Sequence, residues 1–238
     1  MEKKRKIVAL VPMKAHSARV ESKNFRNLAG KPLYRWILEA LLSLGEIDRI
    51  VINTDARAQL AETGLEHGHS NGRLVIRDRK DEICGDFVSM NHVLADDIEN
   101  VESDIYLMTH TTNPLLSSET IREAISTYKE ALEAEAVDSL FSVNRVQTRF
   151  YRADGSPVNH DPNNLVRTQD LEPWFEENSN LYLFTRNSFR ATGARIGTKP
   201  MMYETPSLES IDIDGPDDWS VAEALLLYMG RHDQTKSG

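Results

Sequence analysis

The sequence predicts an α/β fold of three layers, in which a mainly parallel sheet is covered by helices on both faces. Short apolar, β-branched runs alternate along the chain with longer segments whose apolar residues recur at helical spacing. Such alternation is typical of βα units, whose strands pair in parallel beneath the connecting helices. At 238 residues the chain can bury a sizeable core. We therefore expect one domain over residues 1–238, with a small projecting arm over residues 144–173.

The individual elements follow from these patterns. The predicted strands cover residues 7–11, 49–55, 74–76, 104–108, 139–143 and 181–184. The predicted helices place apolar side chains three and four residues apart, and therefore on one face. They cover residues 33–44, 57–67, 87–99, 117–136 and 219–230. Gly68 is expected to end the second helix. Pro32 is expected in the first turn of the first helix, where its missing N–H costs no hydrogen bond.

Residues 144–173 depart from the βα pattern, because polar and aromatic residues mix there with turn signals. Alternation over residues 148–152 predicts a hairpin that projects from the sheet. Four of its apolar residues, Phe150, Tyr151, Leu165 and Val166, have no evident partner within the chain. Exposed apolar patches usually mark interfaces, so we expect a β-rich dimerisation arm and a homodimer.

Composition excludes several classes of protein. The net charge of −9 argues against a nucleic-acid binder or an acidic-membrane binder, both of which need a broad basic surface. The single cysteine, Cys84, excludes an internal disulfide and a thiolate metal cluster, which fits a reducing cytoplasm. The apolar run after the basic residues 1–6 is too short for a signal peptide or a membrane span. We expect a soluble cytoplasmic protein.

The segment after the first predicted strand is rich in cations. Lys14, Arg19, Lys23, Arg26 and Lys31 all lie between that strand and the first helix. Loops at the carboxyl ends of parallel strands are where open α/β sheets bind ligands. A cationic loop in this place suits a polyanion such as a nucleoside triphosphate. The alternative is a basic loop that is simply solvated.

A pair of acids near the end of the chain predicts a metal site. Asp212 and Asp214 are two residues apart, so in extended chain their carboxylates point to the same side. Paired carboxylate oxygens suit Mg²⁺, which also keeps waters and takes phosphate oxygens. The alternative is that these acids cap the helix that follows, although Asp217 and Asp218 are better placed for that task.

Both segments resemble signatures of the sugar-acid cytidylyltransferases, the CMP-sialic acid synthetase family. In the first loop, the matching positions are Pro12, Ser17, Lys23, Asn24 and residues 30–33. Residues 210–214, Ser-Ile-Asp-Ile-Asp, match the family's string without a break. The chain departs from the family at Lys14, where the family has arginine, at Ala15 and His16, where it has two glycines, and at Ala18, where it has lysine. Arg19 stands beside Ala18.

The resemblance implies a Rossmann-like nucleotidyltransferase fold and a reaction. CMP would pass from CTP to the anomeric hydroxyl of a 2-keto-3-deoxy sugar acid, with release of pyrophosphate. Mg²⁺ would bind Asp212 and Asp214, while Lys14, Arg19 and Lys23 would hold the triphosphate and the departing pyrophosphate. Two alternatives stay open: a nucleotide-binding relative with weak or no turnover, and a nucleotidyltransferase that uses another nucleotide or sugar.

The resemblance also implies a set of nucleotide-binding residues. They are Pro12, Lys14, Ser17, Asn24, Arg79, Asp86 and Ser89. Arg79 and Asp86 have the spacing of a family loop that contacts the cytosine and the ribose, and the fork of donors on arginine suits planar acceptors. Asp55, after the second strand, is either a group near the nucleotide or the cap of the next helix, and we favour the cap.

The same resemblance implies a set of residues that bind the acceptor sugar. They are His110, Thr112, Arg149, Arg167, Gln169 and Asn178. His110 stands where the family has a glutamine that touches the sugar acid, which points to a changed acceptor. Arg167, and after it Arg149, is the expected partner of the acceptor's carboxylate, because bidentate pairing fixes orientation as well as charge.

Overall fold

The computed structural model describes residues 4–17 and 20–236, with the backbone alone described for residues 231–236. It contains a seven-stranded sheet with helices on both faces, which confirms the predicted fold class. Within the described residues, no helix has both the length and the apolar content needed to cross a bilayer.

The sheet is parallel except for one strand. The strands are β1 (Ile7–Met13), β2 (Asn27–Leu28), β3 (Lys31–Pro32), β4 (Arg49–Thr54), β5 (Leu74–Asp78), β6 (Ile105–Thr109), β7 (Ser139–Val146), β8 (Trp174–Phe184) and β9 (Pro200–Glu204). The order in the main sheet is β5-β4-β1-β6-β8-β7-β9, and only β8 runs antiparallel to its neighbours. Strand β4 pairs with one edge of β1, and β6 pairs with the other edge. The strand order therefore reverses between β1 and β6.

Six α-helices connect and cover the strands within the described residues. They are α1 (Leu33–Leu42), α2 (Arg57–Glu62), α3 (Met90–Asn100), α4 (Ser118–Glu133), α5 (Arg186–Thr192) and α6 (Pro216–Lys236). The prediction that Gly68 ends the second helix is wrong, because α2 already ends at Glu62 and Gly64 adopts a left-handed conformation (φ 76°). Pro32 lies one position earlier than predicted, as the N-cap residue of α1.

Strand β1 shows why the first apolar run has no polar alternation. All of its residues are buried, since helices cover both of its faces. Ile7, Ala9 and Val11 belong to the core on one face, with residues of α1 and α4. Val8 and Leu10 belong to the core on the other face, with residues of α3 and α5. The strand that carries the first loop is therefore fixed from both sides.

A third apolar cluster holds the end of the chain against the first loop. Ile213 is fully buried in it, together with Leu28, Trp219 and Leu226. The segment 210–214 was expected in extended chain, but the structure has no strand there. Burial still alternates along it, because Ile213 is buried in the cluster, whereas Asp212 is half-buried and Asp214 is exposed.

Three features of the second half of the chain differ from the sequence-based expectation. Helix α5 and the edge strand β9 were not predicted, since both are short and β9 alternates only between exposed and half-buried residues. Helix α6 is longer than predicted.

The arm lies beyond the end of the main sheet. There β7 and β8 continue as a two-stranded ladder, in which Val146 pairs with Trp174. The hairpin predicted over residues 148–152 is reduced to a single bridge between Tyr151 and Pro157. Phe150 was expected to lack a partner in the chain, but its ring stacks on Trp174 with centroids 5.1 Å apart.

Candidate active site

A cavity of about 270 Å³ opens at the carboxyl ends of β1 and β6, where the strand order reverses. In open α/β sheets this crevice is the usual ligand site. Its walls come from the end of β1, the first loop (residues 14–26), the loop before α3, the segment after β6 and the segment before α6. The predicted site residues that line it are Pro12, Lys14, Ser17, Lys23, Asn24, Asp86, His110, Thr112 and Asp214. Met90, at the start of α3, also lines it, and sequence reasoning missed the lining residues Met13, His16 and Thr111.

The first loop is tied down at both ends of its opening turn. The side-chain amide of Asn24 donates to the carbonyl of Lys14 (2.8 Å) and accepts from the Thr111 hydroxyl (2.6 Å). The backbone N–H of Ala15 donates to Asp55 (2.7 Å). The loop is thereby anchored to the segments that follow β4 and β6. Asn24 is buried and uses both ends of its amide for this purpose, so it shapes the cavity wall.

Lys14 forms part of the wall on the β5 side. Its ammonium donates to the carbonyl of Gly85 (2.9 Å) and lies 3.3 Å from the Asp86 carboxylate. Two predicted nucleotide-binding residues therefore meet as an ion pair. Asp86 is 70% exposed, and an exposed pair of this kind contributes little to stability. A phosphate group can therefore replace Asp86 as the partner of Lys14 at little cost.

Lys23 joins the first loop to the acidic segment. Its ammonium donates to the carbonyl of Ile213 (2.7 Å), which lies between the two aspartates. The N–H of Ile213 donates to the carbonyl of Thr112 (2.9 Å), in the segment after β6. These two hydrogen bonds bring the first loop, the 110–112 segment and the 212–214 segment to one place.

Asp212 carries an unsatisfied buried oxygen. Its Oδ1 is buried without a hydrogen-bond partner among the described residues. Burial raises the pKa of the Asp212 carboxyl, the neighbouring charge of Asp214 raises it further, and a hydrogen bond from Thr112 opposes the shift. A carboxylate withdrawn from water beside a second carboxylate is stabilised by a cation.

The donor set fits a magnesium ion that is shared with a bound phosphate. Within the part of the chain that the structure describes, no cluster of three or more His, Cys, Asp and Glu side chains is arranged to hold a metal alone. Mg²⁺ needs fewer protein ligands where it keeps waters and takes phosphate oxygens. The alternative role of the pair, capping α6, belongs instead to Asp218, whose carboxylate accepts from the N–H groups of Asp214 (3.0 Å) and Gly215 (2.8 Å).

Arg79 does not face the cavity as predicted. It is buried, and its guanidinium donates to the side chain and carbonyl of Asn53 (3.0 and 2.8 Å) and to the carbonyl of Met13 (3.2 Å). Burial lowers the pKa of Arg79. The residue braces the ends of β1 and β4 beneath the cavity, so the expected contact with the nucleotide is corrected to a positioning role.

The Arg79 brace continues into a buried charge network. Asn53 also donates to Asp97 (2.8 Å), and Arg77 contacts both Asp97 and Asp96. Burial raises the pKa of Asp97 to about 6. The network links β4, β5 and α3 behind the cavity and gives its floor a fixed geometry.

Two predicted residues of the loops beside the cavity have capping or anchoring roles. Ser89 is the N-cap of α3, and its hydroxyl accepts from the N–H of Asn91 (3.3 Å). It is not among the described lining residues of the cavity. The prediction that Asp55 caps the next helix is wrong, because the N-cap residue of α2 is Ala56. The Asp55 carboxylate accepts instead from the backbone N–H of Ala15 in the first loop.

His110 forms the wall on the β6 side, next to an arginine. Its Nε2 lies 3.4 Å from Nη1 of Arg195. Burial lowers the pKa of His110 to about 3, and the positive charges of Arg195 and Lys23 act in the same direction. The imidazole is therefore neutral near pH 7. Nε2 then accepts from Arg195, which leaves the ring proton on Nδ1.

This depressed pKa predicts how stability depends on pH. Between pH 6.5 and about pH 3, His110 is protonated in the unfolded chain but not in the folded chain. The free energy of unfolding therefore falls as the pH drops through this window. In the His110→Gln variant, the loss of unfolding free energy between about pH 7.5 and about pH 5 should shrink by up to about 2 kcal/mol. Urea denaturation of both proteins at the two pH values measures the difference. An equal loss in both proteins would contradict the shifted pKa.

Arg195 is a residue near the site that sequence reasoning missed. Its guanidinium carbon lies 3.7 Å from the ring centroid of Tyr182, and Nη2 lies 3.2 Å from Glu177. The Tyr182 hydroxyl donates to the same carboxylate. Arg195 follows α5 in a stretch without a periodic pattern, so no sequence signal indicated it; only the packing of β6 against β8 brings it to His110.

The three predicted residues of the arm have partners within the arm and are not among the described lining residues of the cavity. Arg149 donates to the carbonyl of Val166 (2.5 Å). Arg167 forms a two-pronged ion pair with Asp170 (2.7 and 2.9 Å). The backbone carbonyl of Gln169 accepts from the side-chain amide of Gln147 (3.2 Å). The structure thus does not bring these acceptor candidates to the cavity of their own chain.

Asn178 is likewise placed as a structural residue. It is buried, and its amide donates to Asn144 (2.9 Å) and to the Thr205 hydroxyl (2.6 Å). It therefore fixes the bend between β7, β8 and the segment after β9, which corrects the prediction that it lines the sugar pocket. The predicted cation Arg19 lies outside the described residues.

Comparison with known proteins gives one family. The family model described as Cytidylyltransferase matches residues 8–227. The CMP-N,N'-diacetyllegionaminic acid synthase of Legionella pneumophila is 30% identical, over 93% of this chain and 96% of that protein. The N-acylneuraminate cytidylyltransferase of Oncorhynchus mykiss is 29% identical over 95% of this chain, which spans 52% of that longer protein.

Solved structures agree on the fold. CMP:2-keto-3-deoxy-manno-octonic acid synthetase in complex with CTP superposes with a TM-score of 0.66 at 14% identity, covering 94% of this chain and 99% of that one. The 4-diphosphocytidyl-2C-methyl-D-erythritol synthase of Anaerococcus prevotii gives a TM-score of 0.66 at 11% identity, covering 93% of this chain and 96% of that one. At such identities the likeness concerns the fold alone.

Proposed function

The chain belongs to the cytidylyltransferase family, and on that premise we propose that it transfers CMP from CTP to the anomeric hydroxyl of a 2-keto-3-deoxy sugar acid. The hydroxyl oxygen bonds to the α-phosphorus, the bond from that phosphorus to the bridging oxygen breaks, and pyrophosphate leaves while the hydroxyl proton passes to solvent. Its relatives named for diacetyllegionaminic acid and N-acylneuraminate act on sugar acids, which supports an acceptor of that class.

The observation that carries the proposal is the convergence of opposite charges around one cavity. Lys14 and Lys23 lie on the wall formed by the first loop, and Asp214 faces them from the segment before α6. Phosphoryl-type transfer depends on positioning and on neutralising charge rather than on covalent chemistry by the protein. Two ammonium groups beside a carboxylate pair supply both requirements for a triphosphate.

We propose Mg²⁺ as the cofactor, with Asp212 and Asp214 as its protein ligands. When bound, it would withdraw charge from the phosphate oxygens and lower the pKa of the attacking hydroxyl. The residues of the chain do the rest. Lys14, Lys23 and, by its place in the first loop, Arg19 neutralise the triphosphate, while Ser17 offers its hydroxyl to the bound substrates. The Thr112 hydroxyl donates to Asp212, so it can only accept from a substrate hydroxyl.

The decisive experiment measures pyrophosphate release over a panel of nucleotides and sugar acids in the presence of Mg²⁺. We expect release with CTP and at least one 2-keto-3-deoxy sugar acid, and a CMP-sugar as the second product. CTP binding without release over the whole panel would indicate a binding protein instead. Release with UTP, GTP or ATP in preference to CTP would assign another nucleotide.

We also propose that the protein acts as a homodimer in the cytoplasm. The single cysteine supports a reducing compartment. The arm exposes several large apolar side chains, among them Leu165 (70% exposed), Tyr151 (54%) and Val166 (40%). Contiguous exposed patches of this kind favour an interface between copies, and two-fold dimers are the commonest closed assembly.

Charging this patch should therefore dissociate the dimer. We expect sedimentation to show a dimer for the unmodified protein at micromolar concentration and a monomer for the Leu165→Glu, Val166→Glu double variant, because two carboxylates cannot be desolvated in an apolar interface. Leu208→Glu is the control, since Leu208 is 59% exposed but lies outside the arm. A monomeric unmodified protein would contradict the proposal.

A further inference from the structure

Arg195 lies behind His110 on the β6–β8 side of the cavity: it is not itself among the described lining residues, but its Nη1 is 3.4 Å from Nε2 of His110, which is. The face of the Tyr182 ring supports its guanidinium at 3.7 Å, and Glu177 holds Nη2 at 3.2 Å. Its side chain is 19% exposed. A guanidinium stacked on an aromatic ring and held by a carboxylate loses little rotamer entropy when it binds a ligand.

The two edges of this guanidinium have unequal partners. Nη2 is paired with the charged carboxylate of Glu177. Among the described residues, the partners of Nη1 are a thioether sulfur, Met108 Sδ at 3.7 Å, and the imidazole nitrogen of His110 at 3.4 Å. Both are weak or distant acceptors for a charged donor. The Nη1 edge therefore retains the capacity for a strong, charge-assisted hydrogen bond on the side that leads through His110 to the cavity.

The topology places this edge opposite the nucleotide side. Lys14, Gly85 and Asp86 form the wall towards β4 and β5, whereas Arg195 and His110 lie beside β6 and β8. In phosphoryl-type transfer, the attacking and leaving oxygens lie roughly in line on opposite sides of the phosphorus. A triphosphate that occupies the wall of the first loop therefore leaves the β6–β8 side to the acceptor.

The local charge favours an anion there. His110 is neutral and lies close enough to Arg195 and Lys23 for both positive charges to lower its pKa. Glu177 lies on the Nη2 edge of Arg195, and Asp212 lies close enough to Lys23 for their charges to interact, so the cation that faces the imidazole on the side away from a carboxylate is the Nη1 edge of Arg195. An acidic acceptor entering from solvent meets that field before it reaches the α-phosphate.

We propose that Arg195 binds the carboxylate of the acceptor sugar acid and thereby selects acidic over neutral sugars. This inference rests on the proposed function. It assigns the carboxylate to Arg195 in place of two arginines of the arm: Arg149, whose Nη2 donates to the carbonyl of Val166, and Arg167, which pairs with Asp170.

The test compares an acid with its amide. For the sugar acid with the highest turnover, or N-acetylneuraminate where none is turned over, affinity is measured for the free acid and for its C1 carboxamide. We expect the unmodified protein to prefer the acid by about ten- to a hundredfold, as for other charge-assisted pairs. Arg195→Met should bring both ligands to the weaker affinity, while the KM or Kd for CTP changes less than about twofold.

Two further variants separate recognition from structure. Arg195→Lys keeps the charge but not the fork, so it should restore part of the preference for the acid. Arg190→Met makes the same chemical change at an exposed arginine of α5 and should leave the preference intact. Thermal unfolding of each variant reports whether removal of the guanidinium from Tyr182 disturbs the fold.

The outcomes are distinct from those of the pyrophosphate assay. If Arg195→Met weakens acid and amide equally, or leaves the preference for the acid unchanged, the inference is overturned although CMP transfer stands. If no sugar acid is turned over but the acid binds better than the amide, and only while Arg195 is present, the inference stands and the proposed reaction fails. If the unmodified protein does not distinguish acid from amide, Arg195 is not the carboxylate partner.

Discussion

Replacing Asp212 or Asp214 by asparagine is expected to lower Mg²⁺-dependent turnover by about a hundredfold or more, because the change removes one charged ligand of the proposed metal site. The backbone hydrogen bonds of Ile213, between the two positions, are made without either carboxylate, so the segment should keep its place. Pyrophosphate release at saturating Mg²⁺ measures the effect. Asp217→Asn, an exposed acid in the first turn of α6, is the matched control.

A stability measurement distinguishes loss of the metal site from loss of the fold. Burial raises the pKa of Asp212, so the folded chain holds its proton more tightly than the unfolded chain. The ionised carboxylate therefore lowers stability as the pH rises from about 3.8 towards neutrality. Without Mg²⁺, Asp212→Asn should unfold at the same or a higher temperature than the unmodified protein. Near-normal turnover of either asparagine variant would refute the ligand assignment.

Removing the ammonium group of Lys23 should have the second largest effect. We expect Lys23→Ala to lower kcat by about ten- to a thousandfold, the range typical for one donor that stabilises charge in the transition state. The affinity for CTP should fall less, because the charge is needed most as pyrophosphate departs. Lys14→Ala should act in the same direction, since Lys14 lies on the same wall.

Single-turnover kinetics and direct CTP binding separate the two effects for Lys23. Loss of the hydrogen bond to Ile213 also loosens the segment between the aspartates, so the variant should require more Mg²⁺ for half-maximal rate. Lys199→Ala, at an exposed lysine before β9, is the control. A Lys23→Ala enzyme that binds CTP poorly yet keeps its kcat would show that Lys23 contributes uniform binding instead.

Much of the site could be predicted because its parts follow strand ends. The cationic loop follows β1, His110 and Thr112 follow β6, and the carboxyl ends of parallel strands share one edge of the sheet. The acidic pair was singled out by its spacing, and the structure places Asp214 on the cavity wall although the segment is not a strand. These predictions depend on local order along the chain and on a general property of parallel sheets.

Other residues of the same chemical types were placed wrongly. Arg79 has the fork of donors expected of a nucleotide ligand, but its donors are used by Asn53 and Met13 beneath the cavity. Asn178 is a polar residue near the predicted pocket, yet it holds two chain segments together. Residue type and spacing do not tell whether a polar side chain faces a ligand or satisfies a buried backbone group.

The alternation of strands and helices, the fold class and the family were readable from the chain alone, because these depend on side-chain periodicity and short strings of neighbouring residues. Which charges meet depends instead on how the folded sheet is assembled. Lys23 reaches the carbonyl of Ile213 across 190 positions, and Arg195 reaches His110 across 85. Such contacts have no local signature, since they arise where strands distant in sequence become neighbours in the sheet and their burial forces each polar group to find a partner.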